Sequence, residues 1–345
     1  MIARQKHLLS AAALVTAIVL APFAATHAMD YAGKTLKIVI PYGPGGTYDK
    51  YGQTFARHLG NHLPGKPNII VVHMPGAGGV KAMNWMYNVM PKDGMNMITP
   101  LDNSVVNQLM RPEKMRFDAG KMRWLGTSNQ TNLVLVVRSD TGVKTVADMK
   151  NKALVGGASG KNSTGFIGPR LAAGLLGWNI SMTTGYKGSS KTIFSVEQGE
   201  TQMAMYNWLA WGSKVPHWFK GDKPFGNIVL QIGIWRDPDV PKTVPMLSDL
   251  VTSPEDKAVV AFVASLGALG RGLAMPPGVS SDAVATLRKG YDGMNADPAF
   301  EQELKKRKLR LIPATGAQIE KIVADSIKGA TPEVVEKARK IIFGG

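Results

Sequence analysis

Three short loops gather glycine with hydroxyl-bearing residues at the ends of apolar runs: Pro41-Tyr42-Gly43-Pro44-Gly45-Gly46-Thr47-Tyr48-Asp49, Pro75-Gly76-Ala77-Gly78-Gly79 and Gly156-Gly157-Ala158-Ser159-Gly160-Lys161-Asn162-Ser163-Thr164. A strand-to-helix turn without Cβ atoms lets an acceptor approach the backbone N–H groups at a helix N-terminus, where the partial positive charge favours anions. The chemistry on offer is capture of a carboxylate or a phosphate. The nucleotide motifs are incomplete: a Walker loop needs Gly where Val155 stands and Ser or Thr where Asn162 stands, and a dinucleotide fingerprint needs Gly at Tyr48 or at Lys81. One such loop is as readily an ordinary βα turn. Three in one chain point to a shared site.

Catalytic constellations fare worse. Ser159 lies in Gly157-Ala158-Ser159-Gly160-Lys161, but a nucleophile elbow needs Gly at Lys161. His58 and His62 are four apart, yet Leu59 stands where a zinc protease needs Glu, so a solvated helix face accounts for them better than a metal. No nucleophile, base and orienter can be named together; the residues describe a binder. Tyr42 and Tyr48 flank the first loop, Phe166 follows the third, and Tyr186 precedes Gly188-Ser189-Ser190. Trp211 and Trp218 read as core, whereas Tyr42, Tyr186 and Trp208 sit beside turn residues at strand ends and are equally suited to pocket walls. The run Lys305-Lys306-Arg307-Lys308 reads as a wet helix end.

These residues need elements to carry them. Apolar, β-branched runs predict strands at 36–40, 68–74, 95–100, 133–137, 153–156, 180–184, 202–206 and 228–234, with helices at 49–59, 80–90, 163–176, 190–198 and 208–220 between them. Such alternation predicts mostly parallel sheet covered by helices. From Glu255 onward the pattern is helical, at 258–266, 282–295, 299–307, 318–327 and 332–342, with one short strand at 309–312. No repeat or low-complexity tether separates the two parts.

With 345 residues, 44% hydrophobic, 19% charged and no Cys, the chain can bury a core and is neither disordered nor a disulfide scaffold. Its length predicts two domains. The formal charge of +16 admits nucleic acid, an anionic membrane or small anions as partners. Arg4 and Lys6, an apolar run over 8–23 and Thr26-His27-Ala28 predict a signal peptide over 1–28, cleaved after Ala28, rather than a membrane span. Cleavage lowers the charge to +14, and export to the periplasm takes the chain away from nucleic acid.

In order and spacing the chain resembles the periplasmic solute-binding receptors of tripartite tricarboxylate transporters, the TctC or Bug family. The resemblance is carried by the signal peptide, Pro41-Tyr42-x-x-Gly45-Gly46-x-x-Asp49, Pro75-Gly76-Ala77-Gly78-Gly79, the third loop, Gly185-Tyr186-Lys187-Gly188-Ser189, Gly199-Glu200 and Pro276-Pro277-Gly278-Val279. It implies an α/β, type II periplasmic binding protein: lobe 1 from 29–130 plus 269–345, lobe 2 from 131–268, a double-crossing hinge near 128–133 and 269–275, and ligand in the cleft. It also implies a monomeric receptor, not an enzyme, with no cofactor or metal. Such a receptor binds an organic carboxylate (tricarboxylate, dicarboxylate or aromatic acid) and delivers it to membrane permease subunits.

Carried over residue by residue, the implied anion seat is Tyr42, Gly45, Gly46 and Thr47, with Asp49 ordering that loop without touching an anion. Gly78, Asn103 and Ser128 join it from lobe 1, and Ser159, Ser163, Thr164, Tyr186, Gly188, Ser189, Asn207 and Trp208 from lobe 2. Two departures, Phe166-Ile167-Gly168-Pro169 where relatives carry His and Asn207-Trp208 where they often carry Asp, together with Tyr186 and Trp208 nearby, predict a larger or flatter acid than a small amino-dicarboxylate. Two rival readings remain: a secreted α/β hydrolase using Ser159 or Ser163, and a ligand-sensing accessory of a signalling system.

Overall fold

A computed structural model describes residues 28–344; the expected signal peptide, apart from Ala28, lies outside the described residues. The chain opens with β1 (Thr35–Ile40), α1 (Thr47–His58), β2 (Asn68–His73), α2 (Val80–Asn88), β3 (Asn96–Ile98), α3 (Ser104–Met110) and β4 (Arg123–Thr127). A second series follows: β5 (Leu133–Arg138), β6 (Leu154–Ala158), α4 (Thr164–Leu176), β7 (Ile180–Thr184), α5 (Ser189–Glu197), β8 (Met203–Asn207), α6 (Trp208–Lys214), β9 (Gly226–Ile232), α7 (Leu247–Leu250) and α8 (Pro254–Ala264). Last come β10 (Gly272–Met275), α9 (Ser281–Asn295), α10 (Pro298–Lys306), β11 (Ala314–Thr315), α11 (Gly316–Gly329) and α12 (Pro332–Phe343).

The strands form two sheets, ordered β11-β4-β10-β3-β1-β2 and β7-β6-β8-β5-β9. Each is a lobe with its own apolar core, as the two-lobe fold requires. β5 is buried from Leu133 to Val137, and a strand covered on both faces reads as a continuous apolar run rather than an alternating one. The sheets are more mixed than the sequence pattern predicts. β1, β2 and β3 run parallel, as do β6, β7 and β8. β10 is antiparallel to β3 and β4, and β5 is antiparallel to β8 and β9. β5 and β10 each enter a sheet from the other lobe, without the helical crossover that would bring them in parallel to their neighbours.

The two crossings are stitched to each other. Ser128 N donates to Arg271 O at 2.9 Å, Arg271 N to Asn129 O at 2.8 Å and Thr131 N to Gly267 O at 2.9 Å. Gly270 has φ +56°, and a Cβ there would lie 1.6 Å from Asn129 O, so this approach admits glycine alone. β10 gives little sign of itself in the sequence, being four residues long, opening on Gly272 and stopping at Pro276-Pro277.

Four expectations need correction. α12, expected with lobe 1, packs against α4 and α8 and places Ala338 and Ile342 in the second core. It also touches α3, whose Val106 and Met110 belong to the same core, and the chain thus crosses a third time near 330. The helix expected over 208–220 stops at Lys214, with a short 3-10 turn at Pro216–Phe219, because proline cannot continue it. The strand expected over 309–312 falls instead at Ala314–Thr315. Nor do His58 and His62 face only solvent: they are half-buried against Glu303 and Asp297 and tie α1 to α10.

Candidate functional site

Between the lobes lies a small chamber of about 20 Å³, room for about one water. Lobe 1 lines it with Tyr42, Gly46, Thr47, Tyr48 and Arg271; lobe 2 with Ser159, Thr164, Ser189, Tyr206 and Asn207. A vestibule of about 200 Å³ adjoins it, bounded by Pro75 to Gly79 and Gly185 to Lys187, and Tyr42 and Ser159 belong to both spaces.

The geometry follows from where βα turns must lie. β1, β6 and β7 each end in a turn that leads to α1, α4 or α5, and the three helix N-termini meet at this cleft. Their N-cap residues are Gly46, Ser163 and Gly188, and none caps its own helix with a side chain. Backbone N–H groups are thereby left for a ligand. The neighbouring α6 differs, since Asn207 Oδ1 accepts from Ala210 N at 3.0 Å.

Hydroxyls and one ion pair complete the lining. Tyr206 hydroxyl lies 2.8 Å from Thr192 Oγ1 and 3.4 Å from Ser159 Oγ. Asn207 Nδ2 donates to Thr47 Oγ1 at 3.2 Å across the cleft. Arg271 Nη1 donates to Asp102 Oδ2 at 2.7 Å, and its guanidinium lies 3.9 Å over the Tyr48 ring. Burial raises Tyr42, Tyr48 and Tyr206 above the ordinary tyrosine value, so all three enter as neutral hydroxyls. For Arg271, burial acts to lower the value, but Tyr48 and Asp102 prevail and hold it above the ordinary one.

Of the residues singled out in the sequence, Tyr42, Gly46, Thr47, Ser159, Thr164, Ser189 and Asn207 meet at the chamber. Gly78 and Tyr186 face the vestibule, where Tyr42 hydroxyl donates to Gly78 O at 2.9 Å and Tyr186 hydroxyl to Glu200 Oε1 at 2.6 Å. Gly45 and Asp49 brace the first loop: Gly45 N donates to Asp49 Oδ2 at 2.8 Å, while Asp49 Oδ1 pairs with His73 at 2.8 Å. Gly188 and Ser163 are the N-caps, and Ser163 hydroxyl donates to Gly160 O at 2.8 Å. Asn103 is a lobe-to-lobe contact, its Nδ2 donating to Asn162 O at 2.8 Å.

Two candidates lie elsewhere. Ser128 is buried in lobe 1, bonded to Asn295 Oδ1 at 2.6 Å and to Tyr291 hydroxyl at 2.7 Å, because the crossing turns its side chain inward. Trp208 packs on Phe219 with ring centroids 5.2 Å apart, beside an outer groove. Phe166 stacks on Phe343 of α12. Of the aromatics expected near the cleft, Trp208 is therefore spent on packing while Tyr186 borders the vestibule, and the chamber's aromatics are Tyr42, Tyr48 and Tyr206. The sequence reading missed Tyr48 as lining, Tyr206, Arg271 and Asp102. A lone charge in Leu266-Gly267-Ala268-Leu269-Gly270-Arg271-Gly272-Leu273 was the available sign.

Neither Ser159 nor Ser163 has a histidine, lysine or carboxylate as hydrogen-bond partner among the described residues. Nor, among those residues, does any group of three or more His, Asp or Glu side chains stand where it could share a metal ion.

No family model matches the chain. A UPF0065 protein of Bordetella pertussis is 19% identical over 329 residues, covering 94% of this chain and 95% of that protein. Among solved structures, the periplasmic binding protein BugD matches with TM-score 0.71 at 15% identity, over 90% of this chain and 98% of its own. The fold is that of BugD. An R. palustris protein solved with adipate shares this BugD-like fold, with TM-score 0.70 and 17% identity over 90% of this chain and 98% of that one. Both are similar to the chain along nearly its whole described length, and the family resemblance read from the loops holds at the level of fold. BugD is by its description a periplasmic binding protein.

Proposed function

We propose that this protein is an extracytoplasmic solute receptor, which captures an organic carboxylate between its lobes and delivers it to a membrane permease for uptake. The observation that carries the reading is the convergence of three uncapped helix N-termini, those of α1, α4 and α5, on one chamber contributed by both lobes. Each helix end carries a partial charge of roughly +0.5, and pointing three at one space is costly unless an anion lies there. The BugD-like fold and the adipate held by the R. palustris neighbour support a carboxylate. On this reading lobe 1 comprises 29–130 and 269–330, and lobe 2 comprises 131–268 with α12. The protein works in the periplasm as a monomer, with 1–28 removed.

The test is a thermal-shift screen of succinate, malate, adipate and benzoate, with mass spectrometry of the acids afterwards. At about 100 times its dissociation constant an acid stabilises the fold by roughly 2.7 kcal/mol. Gly46→Val is expected to abolish the shift while unfolding stays cooperative, since a Cβ there already meets Ser189 Oγ at 2.9 Å. An acid consumed by the wild type and spared by Ser159→Ala would make the protein an enzyme instead.

A further inference from the structure

The guanidinium of Arg271 is used unevenly. Arg271 is only 3% exposed, and Nη1 is saturated by Asp102 Oδ2 at 2.7 Å and Gly270 O at 3.0 Å. The opposite edge, Nε and Nη2, meets only Thr47 Oγ1, at 3.4 and 3.5 Å. Those contacts are long for N–H···O bonds, and one hydroxyl cannot satisfy a two-donor edge. The Tyr48 ring 3.9 Å away fixes the plane of the fork, and both Thr47 and Arg271 line the chamber.

A planar Nε–Nη2 edge matches the two oxygens of a carboxylate. We propose that Arg271 is the residue that selects the cargo: its free edge takes the leading carboxylate of the acid bidentately, beside the N-terminus of α1, while the body trails past Tyr42 into the vestibule. This rests on the receptor reading above and narrows it to acids that present an unhindered terminal carboxylate. Asp102 then acts as an internal competitor. It neutralises the buried cation before cargo arrives, and any incoming carboxylate must share the guanidinium with it.

Competition gives a sign that a purely structural ion pair would not. Isothermal titration with succinate, malate, adipate and benzoate is run on the wild type, Asp102→Asn, Arg271→Lys and Arg271→Gln. Asp102→Asn is expected to melt lower without acid, yet to bind the same acid several-fold more tightly and gain more melting temperature from it. Arg271→Lys is expected to weaken binding about tenfold and Arg271→Gln about a hundredfold, in keeping with loss of a bidentate, charge-assisted contact. If the wild type binds an acid and Asp102→Asn binds it no better, or Arg271→Lys equally well, the role of Arg271 falls while the receptor stands. The Asp102→Asn and Arg271→Lys arms decide even if Arg271→Gln does not fold. If none of the four acids binds the wild type, the receptor reading falls and takes this inference with it.

Discussion

At the C-terminal end of α1, one carboxylate answers three basic groups. Glu303 Oε1 accepts from Arg57 Nε at 2.9 Å and Arg307 Nε at 2.8 Å, and Oε2 lies 2.7 Å from His58 Nε2. Partial burial acts to raise its pKa, but the bonds from Arg57, His58 and Arg307 outweigh it and bring it from 4.5 to about 2. A carboxyl whose pKa is lower in the folded than in the unfolded state adds stability above the unfolded value and loses it as pH falls through the folded one. This contribution is therefore complete above about pH 4.5 and fades towards pH 2. Glu303→Gln is expected to lower the urea midpoint at neutral pH and to flatten its decline between those limits. A variant with the wild-type profile would show that the cluster is a surface ornament.

At the scale of elements, the hinge is a two-stranded stitch whose closeness depends on missing side chains. Gly267 and Gly270 lie against the carbonyls of Thr131 and Asn129, and Gly270 also holds a left-handed φ of +56°. Gly270→Ala is expected to cost about 2–4 kcal/mol, from backbone strain and from prising the crossings apart. Urea unfolding measures it, and an unchanged midpoint would mean that the crossings are not held in register by this contact. α12 plays a different part. Phe343 stacks on Phe166 of α4, and Arg170 Nε donates to Ile342 O at 3.1 Å, so this third passage binds the chain's last helix to the second lobe.

Over the whole molecule, contacts between the lobes surround the chamber. Gly43 N donates to Lys187 O at 2.6 Å, Lys50 Nζ to Ser213 Oγ at 2.9 Å, and Arg310 grips the buried Asp237 with bonds of 2.9 and 2.6 Å. On the α3 side, Asn103 and Asn107 both donate to Asn162 O at 2.8 Å, and Arg111 Nη1 donates to Asn162 Oδ1 at 2.8 Å. These bonds belong to the closed arrangement. Arg310→Ala leaves Asp237 buried without its cation, which disfavours closure. It is expected to weaken acid binding about tenfold, or roughly 1.4 kcal/mol, and to enlarge the radius of gyration in solution scattering. Wild-type affinity would show that the pair is indifferent to closure. On the proposed reading the excess of Lys and Arg has a modest place: it would draw anions towards the molecule, and the helix ends and Arg271 would hold them.

Glycine clusters at strand ends, apolar runs and proline stops are local signals, because backbone sterics and side-chain period act over a few residues. From them came the α/β class, most strands and helices, and glycine loops able to seat an anion, while the two lobes came from the family resemblance. Which helix ends meet was a tertiary decision. Tyr48, Tyr206, Arg271 and Asp102 converge only once both crossings and both sheets are in place, and the ion pair joins residues 169 apart in sequence. The same holds for most of what left the site: Ser128 turned towards Tyr291 and Phe166 towards Phe343, both remote in sequence, while Trp208 found Phe219 just past its own helix. Burial decides where a large side chain goes, and burial is set by the packing of elements distant in the chain.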